Sequence, residues 1–208
     1  VTAASGAAPL IAIDGPAGAG KSTVSRAVAE RLGLDRLDTG AMYRSVAWQA
    51  LQRGVDPADA DAVAEIARTA TIEVGAVVTM NGVDVTAAIR SPEVSRAVSV
   101  VAANPQVRAE LVKRQRRWAR GRVGGVVEGR DIGTVVFPGA TLKIYLTASA
   151  EERTRRRGRD ESADGVALRD RIDSTRATSP LTRAADAHVL DTTGRSVDDV
   201  VEEVLSWL

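Results

Sequence analysis

The sequence predicts an α/β fold, a parallel sheet covered by helices on both faces. Three observations carry that prediction. Short aliphatic or β-branched runs alternate with segments whose apolar residues recur at helical spacing along most of the 208 residues. The stretch Gly15-Pro16-Ala17-Gly18-Ala19-Gly20-Lys21-Ser22-Thr23 satisfies G-x-x-x-x-G-K-[ST] and lies between a strand-like run and a helical one, the context that a phosphate-binding loop requires. Glu128-Gly129-Arg130-Asp131, a polar cluster, follows a later strand-like run at the end where open α/β sheets place ligands.

The elements follow in order. Leu10 to Ile13 is the first strand, and Val24, Ala27, Val28 and Leu32 mark a helix that Gly33 can end. Leu34 to Leu37 is a second strand. Asp38-Thr39-Gly40 then caps a helix whose Met42, Val46, Ala47, Ala50 and Leu51 share one face up to Gly54. Asp56-Pro57 breaks the chain before a helix over 58–70. Between Thr71 and Ile89, β-branched residues flank Asn81-Gly82, a hairpin signal, and predict a small inserted β-ribbon. Ser91-Pro92-Glu93 opens a helix that Asn104-Pro105 interrupts, and a longer helix runs from Gln106 to Arg120. Gly124 to Val127 is a buried strand, Val135 to Pro138 a short apolar loop, and Leu142 to Leu146 the next strand. A helix from Ser149 to Arg157, a polar flap over 158–165 and a helix over 166–175 follow. The last strand is Ala187 to Leu190, and Val197, Val200, Val201, Val204, Leu205 and Leu208 face a closing helix inward. Trp48, Trp118 and Trp207 read as packing anchors and His188 as a structural residue.

Composition narrows the chemistry. A formal net charge of +1 argues against a protein whose main business is coating nucleic acid. Without cysteine there are no disulfides or thiolate metal sites, and a single histidine, His188, argues against histidine-based metal or triad chemistry. No apolar run approaches bilayer length. Val1 to Pro9 lacks the basic start and apolar stretch of a signal peptide and reads as a frayed leader on a cytoplasmic protein. Arginine dominates the 28 basic residues, a bias that GC-rich coding can produce, so no arginine is singled out on residue type alone.

The loop itself specifies half of a reaction. Its backbone N–H groups and the N-terminus of the following helix hold polyphosphate. Lys21 adds a mobile charge for the β- and γ-phosphates, and Ser22 offers a hydroxyl to Mg²⁺. The motif does not name the phosphate acceptor. A guanine-reading N-K-x-D segment and an L-S-G-G-Q-like signature are both missing. A loop near the start of a small chain, with an arginine-rich flap in its C-terminal half, has the outline of a nucleoside monophosphate kinase: core, acceptor-binding region and lid.

Two segments sharpen that outline. Asp38-Thr39-Gly40-Ala41-Met42-Tyr43-Arg44 and the stretch from Glu128 through Gly129-Arg130-Asp131-Ile132-Gly133-Thr134 to Pro138 resemble bacterial cytidylate kinases. So do Pro105-Gln106-Val107-Arg108, Arg114-Gln115-Arg116, and Asp173-Ser174-Thr175-Arg176 ahead of Ser179-Pro180-Leu181. The resemblance runs from Ile11 to the C-terminus. It implies a five-stranded parallel core sheet with helices on both faces, an acceptor-binding domain carrying the β-ribbon, and a short lid. The corresponding divisions are a core of 10–40, 121–157 and 177–208, an acceptor region of 41–120 with the ribbon at 71–89, and a lid at 158–165. Two departures stand out: the lid is short, and Glu128 replaces the aspartate of many members.

The resemblance implies phosphorylation of CMP and dCMP by ATP with Mg²⁺, without a general base because the acceptor phosphate already carries a nucleophilic oxygen. Residues 15–23 hold the ATP phosphates. Ser22 meets the metal directly or through water, and Glu128 stands behind it. Lys21, Arg130 and Arg176 are the implied catalytic groups, with Arg176 at the transferring phosphoryl group. Arg44 and Arg130 clamp the acceptor phosphate. Asp131 accepts from the cytosine N4 amine while Ser99 and Arg108 donate to its acceptors, as carboxylates read cytosine elsewhere. Asp173, with Arg169, holds the ribose, although four-residue spacing also suits a plain helix pair. Thr39, Tyr43 and Gly129 complete the acceptor set. A monomer in the cytoplasm, with neither membrane nor nucleic acid as partner, is expected. The alternatives are a kinase of another small acceptor such as UMP, or a non-catalytic nucleotide- or nucleic-acid-binding module on the same fold.

Overall fold

The computed structural model describes residues 8–157 and 163–208. Five parallel strands form the central sheet: β1 (Leu10–Asp14), β2 (Arg36–Asp38), β6 (Gly125–Glu128), β7 (Leu142–Thr147) and β8 (His188–Asp191), in the order β2-β6-β1-β7-β8. Period-two alternation sends successive side chains to opposite faces. Ile11, Ile13 and Val126 join the core under α1 (Lys21–Leu32) and α8 (Val197–Leu205). Ala12, Leu37 and Val127 join the larger core on the other face.

Most of that larger core comes from the chain between β2 and β6. It contains α2 (Thr39–Gln52), α3 (Ala60–Thr69), α4 (Pro92–Ala103) and α5 (Pro105–Arg120), together with a second sheet. The helix starts have the predicted chemistry. Asp38 accepts from the Ala41 amide, Ser91 from Val94, and Asn104 from Gln106 and Val107. Asn104-Pro105 therefore ends one helix and starts the next. Gly33 ends α1 at φ 62°, a left-handed conformation that favours glycine.

The ribbon is a three-stranded antiparallel sheet: β3 (Ile72–Val74), β4 (Val78–Met80) and β5 (Val83–Asp84). Asn81 at φ 52° and Gly82 at φ 79° both take the positive angles that a two-residue hairpin turn demands. The ribbon is shorter than 71–89, because Ala88–Arg90 is a 3₁₀ turn leading to α4.

One element differs in kind. Val135 to Pro138 is not a plain loop, for Ile132–Val136 winds into a π-helical turn after β6. The C-terminal part adds α6 (Ala150–Arg157) and α7 (Ala163–Thr175), the latter starting earlier than 166. The expected lid falls mostly outside the described residues, at 158–162, and so does the expected leader at 1–7; 163–165 belong to α7. His188 is exposed at the start of β8 and stacks on Trp207, with ring centroids 4.4 Å apart. Among the described residues no helix is long and apolar enough to cross a membrane.

Candidate active site

A cleft of about 670 Å³ runs along the C-terminal ends of β1, β2 and β6. Of the loop residues, Ala17, Gly18, Gly20, Lys21, Ser22 and Thr23 line it, whereas Gly15, Pro16 and Ala19 are not among its lining residues. Gly15 is pressed against β7, where a Cβ would lie 2.1 Å from the Leu146 carbonyl oxygen, so only glycine fits. Gly20 at φ 89° caps α1 with no side chain over its N-terminus, leaving those amides to an anion.

Lys21 is buried, and its Nζ donates to the Pro16 carbonyl at 2.6 Å. Burial, reinforced by the Arg130 charge, pushes its pKa well below the usual lysine value, while Glu128, Asp173 and Asp14 oppose the shift. An added anion relieves exactly this kind of strain on a buried ammonium. Ser22 Oγ donates to Glu128 Oε2 at 2.8 Å, Ser25 Oγ to Oε1 at 3.0 Å, and Arg36 Nη1 to Oε1 at 2.6 Å. Burial and the nearby Asp38 raise the Glu128 pKa. Asp14 at the end of β1 is also buried; burial raises its pKa to about 6, although it accepts from the amides of Ile132 and Gly133.

Among the described residues, no three His, Cys, Asp or Glu side chains gather as a metal site. The hydroxyl–carboxylate pair of Ser22 and Glu128 fits Mg²⁺ that arrives on a polyphosphate and keeps most of its waters.

The expected acceptor residues all line the same cleft: Thr39, Tyr43, Arg44, Ser99, Arg108, Gly129, Arg130, Asp131, Arg169, Asp173 and Arg176. Thr39 Oγ1 donates to the Glu128 carbonyl at 2.7 Å, fastening α2 to β6. Arg108 and Asp131 form a buried ion pair, and the Arg108 guanidinium lies 5.7 Å from the centre of the Tyr43 ring. Arg176 lies beside that pair, its Nη2 3.6 Å from Asp131 Oδ1. Ser99 is buried rather than turned to solvent, and Arg169 is buried on α7.

Arg130 Nε meets Asp173 Oδ2 at 2.9 Å. Arg44 Nη1 donates to the Ile89 carbonyl at 3.2 Å and to Ser95 Oγ at 3.0 Å. Burial, and then the facing guanidiniums of Arg169 and Arg157, lower the Arg44 pKa to about 9. A cluster of guanidiniums of this kind favours a bound phosphate.

Sequence reasoning missed Arg36, which braces Glu128, and Arg90, which lines the cleft 3.7 Å from Asp38. A further wall lies beside the phosphate-binding loop. There Arg156 donates to the Thr192 hydroxyl at 2.8 Å, and Thr192 in turn donates to the Ala19 carbonyl at 3.2 Å. The Arg153–Asp170 pair lies beside the loop, with Asp170 accepting from the Ala17 amide at 3.3 Å. None of these contacts carries a local sequence signal, since each joins residues far apart in the chain.

Comparison with known proteins agrees with this geometry. The family model for cytidylate kinase matches residues 11–208. A cytidylate kinase of Desulfitobacterium hafniense is 50% identical over 211 residues, which cover 94% of this chain and 90% of that protein. A bifunctional pantoate ligase/cytidylate kinase of a Synechococcus species is also 50% identical, over 93% of this chain. The chain spans only 43% of that longer relative. Among solved structures, a gluconokinase of Sinorhizobium meliloti shares the fold, with a TM-score of 0.55 at 13% identity over 96% of this chain and 91% of that one. A match across nearly the whole chain, on a cleft lined by the expected groups, places this chain in the cytidylate kinase family.

Proposed function

We propose that the chain transfers the γ-phosphoryl group of ATP to CMP and dCMP, yielding ADP and the corresponding diphosphate. One observation carries the reading. A phosphate-binding loop with a buried lysine shares one cleft with a buried Arg108–Asp131 pair. A cleft with a polyphosphate site and a base-reading site suits two nucleotides meeting phosphate to phosphate.

In this reading an oxygen of the CMP phosphate attacks the γ-phosphorus, and the bond to the β–γ bridging oxygen breaks as ADP leaves. The reaction needs positioning and charge neutralisation more than covalent help. Lys21 and the α1 N-terminus hold the donor phosphates. Arg44 and Arg130 hold the acceptor phosphate, and Asp173 with Arg169 the ribose. Ser22, with Glu128 behind it, would hold Mg²⁺, which would supply positive charge to the reacting phosphates. Asp131 accepts from cytosine N4, while Arg108 and Ser99 donate to N3 and O2. Uracil would set its O4 against Asp131, and an unmatched buried polar contact of this kind costs about 1–3 kcal/mol. The acceptor-binding region is then about 41–120, set on a core of 10–40, 121–157 and 177–208 that also supplies acceptor groups, with 158–165 as the lid, in a cytoplasmic monomer that closes within one chain.

A coupled assay across nucleoside monophosphates tests this. CMP and dCMP are expected to give the highest kcat/KM; turnover of UMP or AMP well above CMP would overturn the assignment.

A further inference from the structure

The π-helical turn Ile132–Val136 begins immediately after Arg130 and Asp131, so its placement decides where those two side chains point. The Asp131 carbonyl is the turn's own first acceptor, bonded by the amides of Val135 at 2.9 Å and Val136 at 3.1 Å. Like any helical turn, it leaves early N–H groups and late C=O groups without partners inside the turn. Two charged side chains from other elements supply them. The buried Asp14 carboxylate, from the end of β1, accepts from Ile132 at 2.8 Å and Gly133 at 2.7 Å. The Arg116 guanidinium, from the exposed side of α5, donates to the Val136 carbonyl at 3.1 Å through Nε and to the Val135 carbonyl at 2.8 Å through Nη2. An anion at the amide end and a cation at the carbonyl end both match the turn's dipole. π-turns of this kind recur at functional sites.

We propose that Asp14 and Arg116 are positioning residues that hold this turn from its two ends and thereby set Arg130 and Asp131 against the acceptor nucleotide. Neither is assigned a contact with substrate. Asp14 also couples the two halves of the site, because it directly precedes the phosphate-binding loop. The inference rests on CMP being the acceptor.

The test is steady-state kinetics with ATP, CMP and UMP, beside thermal melting, for the wild type and for Asp14→Asn, Arg116→Gln and Arg116→Lys. Arg114→Gln is the control, since Arg114 also binds backbone carbonyls, those of Ala67, Arg68 and Ala70, away from the turn. Arg116→Gln is expected to raise the CMP KM by about three- to tenfold, the loss of one or two charge-assisted bonds. It should also lower the CMP-to-UMP ratio of kcat/KM while leaving the ATP KM in place, and Arg116→Lys should recover part of both. Arg114→Gln should lower the melting temperature without changing that ratio. Because Arg116 is exposed, its variants are expected to fold even if Asp14→Asn does not. A CMP-active wild type whose Arg116→Gln form keeps its CMP KM and base ratio overturns the positioning role alone. A wild type inert toward CMP overturns the acceptor reading itself, together with the inference built on it.

Discussion

Arg130 and Asp173 meet at 2.9 Å between Nε and Oδ2, joining the turn after β6 to α7. Burial pulls the Arg130 pKa down, but the charge and hydrogen bond of Asp173 outweigh it and leave the pKa raised. Asp173 is the mirror case: burial pushes it up, and Arg130 brings it below the ordinary carboxylate value. Each charge therefore offsets part of the cost of holding the other out of water. Asp173→Asn keeps a hydrogen-bond acceptor but strands the guanidinium. We expect a loss of about 1–3 kcal/mol in stability, faster amide exchange along α7 and a raised CMP KM. Unchanged exchange in 163–175 would count against the tether.

Lys21 should trade stability for activity. Its buried ammonium carries a strongly depressed pKa in the absence of nucleotide. Lys21→Met removes that charge while keeping the stem's bulk, so the nucleotide-free variant is expected to melt higher than the wild type. Its kcat should fall about 10³-fold or more, because charge neutralisation at the phosphates is the chemistry that a kinase supplies. A variant that melts lower would contradict the electrostatic account.

Asp131 calls for a conservative change. Its carboxylate pairs with the buried Arg108 and faces Arg176. Asp131→Ala would leave the buried Arg108 guanidinium without its carboxylate, at a cost of about 3–5 kcal/mol, and would confuse folding with recognition. Asp131→Asn keeps the shape and can present either an acceptor or a donor. We predict that its preference for CMP over UMP falls by about tenfold or more while the ATP KM stays within about twofold. Undiminished selectivity, measured by competing the two monophosphates, would remove Asp131 from base reading.

Asp14 gives a pH dependence with a definite sign. Its folded pKa is raised, by burial first, from 3.8 to about 6. The folded chain thus holds this proton more tightly than the unfolded one. The group's contribution is fully present below about pH 4 and is lost as pH rises through about 6, a change on the order of 3 kcal/mol. In denaturant titrations without nucleotide, the stability of the wild type relative to Asp14→Asn should fall between about pH 4 and pH 7. A difference that stays constant over that range would show that Asp14 ionises as an ordinary carboxylate.

What the sequence disclosed was local. Asp38, Ser91 and Asn104 cap helices because a short polar side chain reaches amides two or three positions on. Asn81-Gly82 turns the ribbon through its own backbone angles. The phosphate-binding loop was legible for the same reason, and the acceptor residues through their resemblance to a family. The π-turn was not, because Val135-Val136-Phe137 has no period and the carboxylate that receives the turn's amides lies at residue 14. Likewise Arg36 reaches Glu128 only because β2 and β6 pair in register, with Asp38 opposite Glu128. Such pairings belong to the assembled sheet, and no spacing within either strand announces them.

The neighbouring strands β2 and β6 are parallel, yet the chain departs for residues 39–124 before returning from one to the other. A bare crossover of about a dozen residues would join the same strands. The long excursion is thus an insertion between two neighbouring strands, and the sheet, the phosphate-binding loop and Lys21 all lie outside it. Arg130 and Asp131 follow β6, so they too belong to the part of the chain that the insertion interrupts.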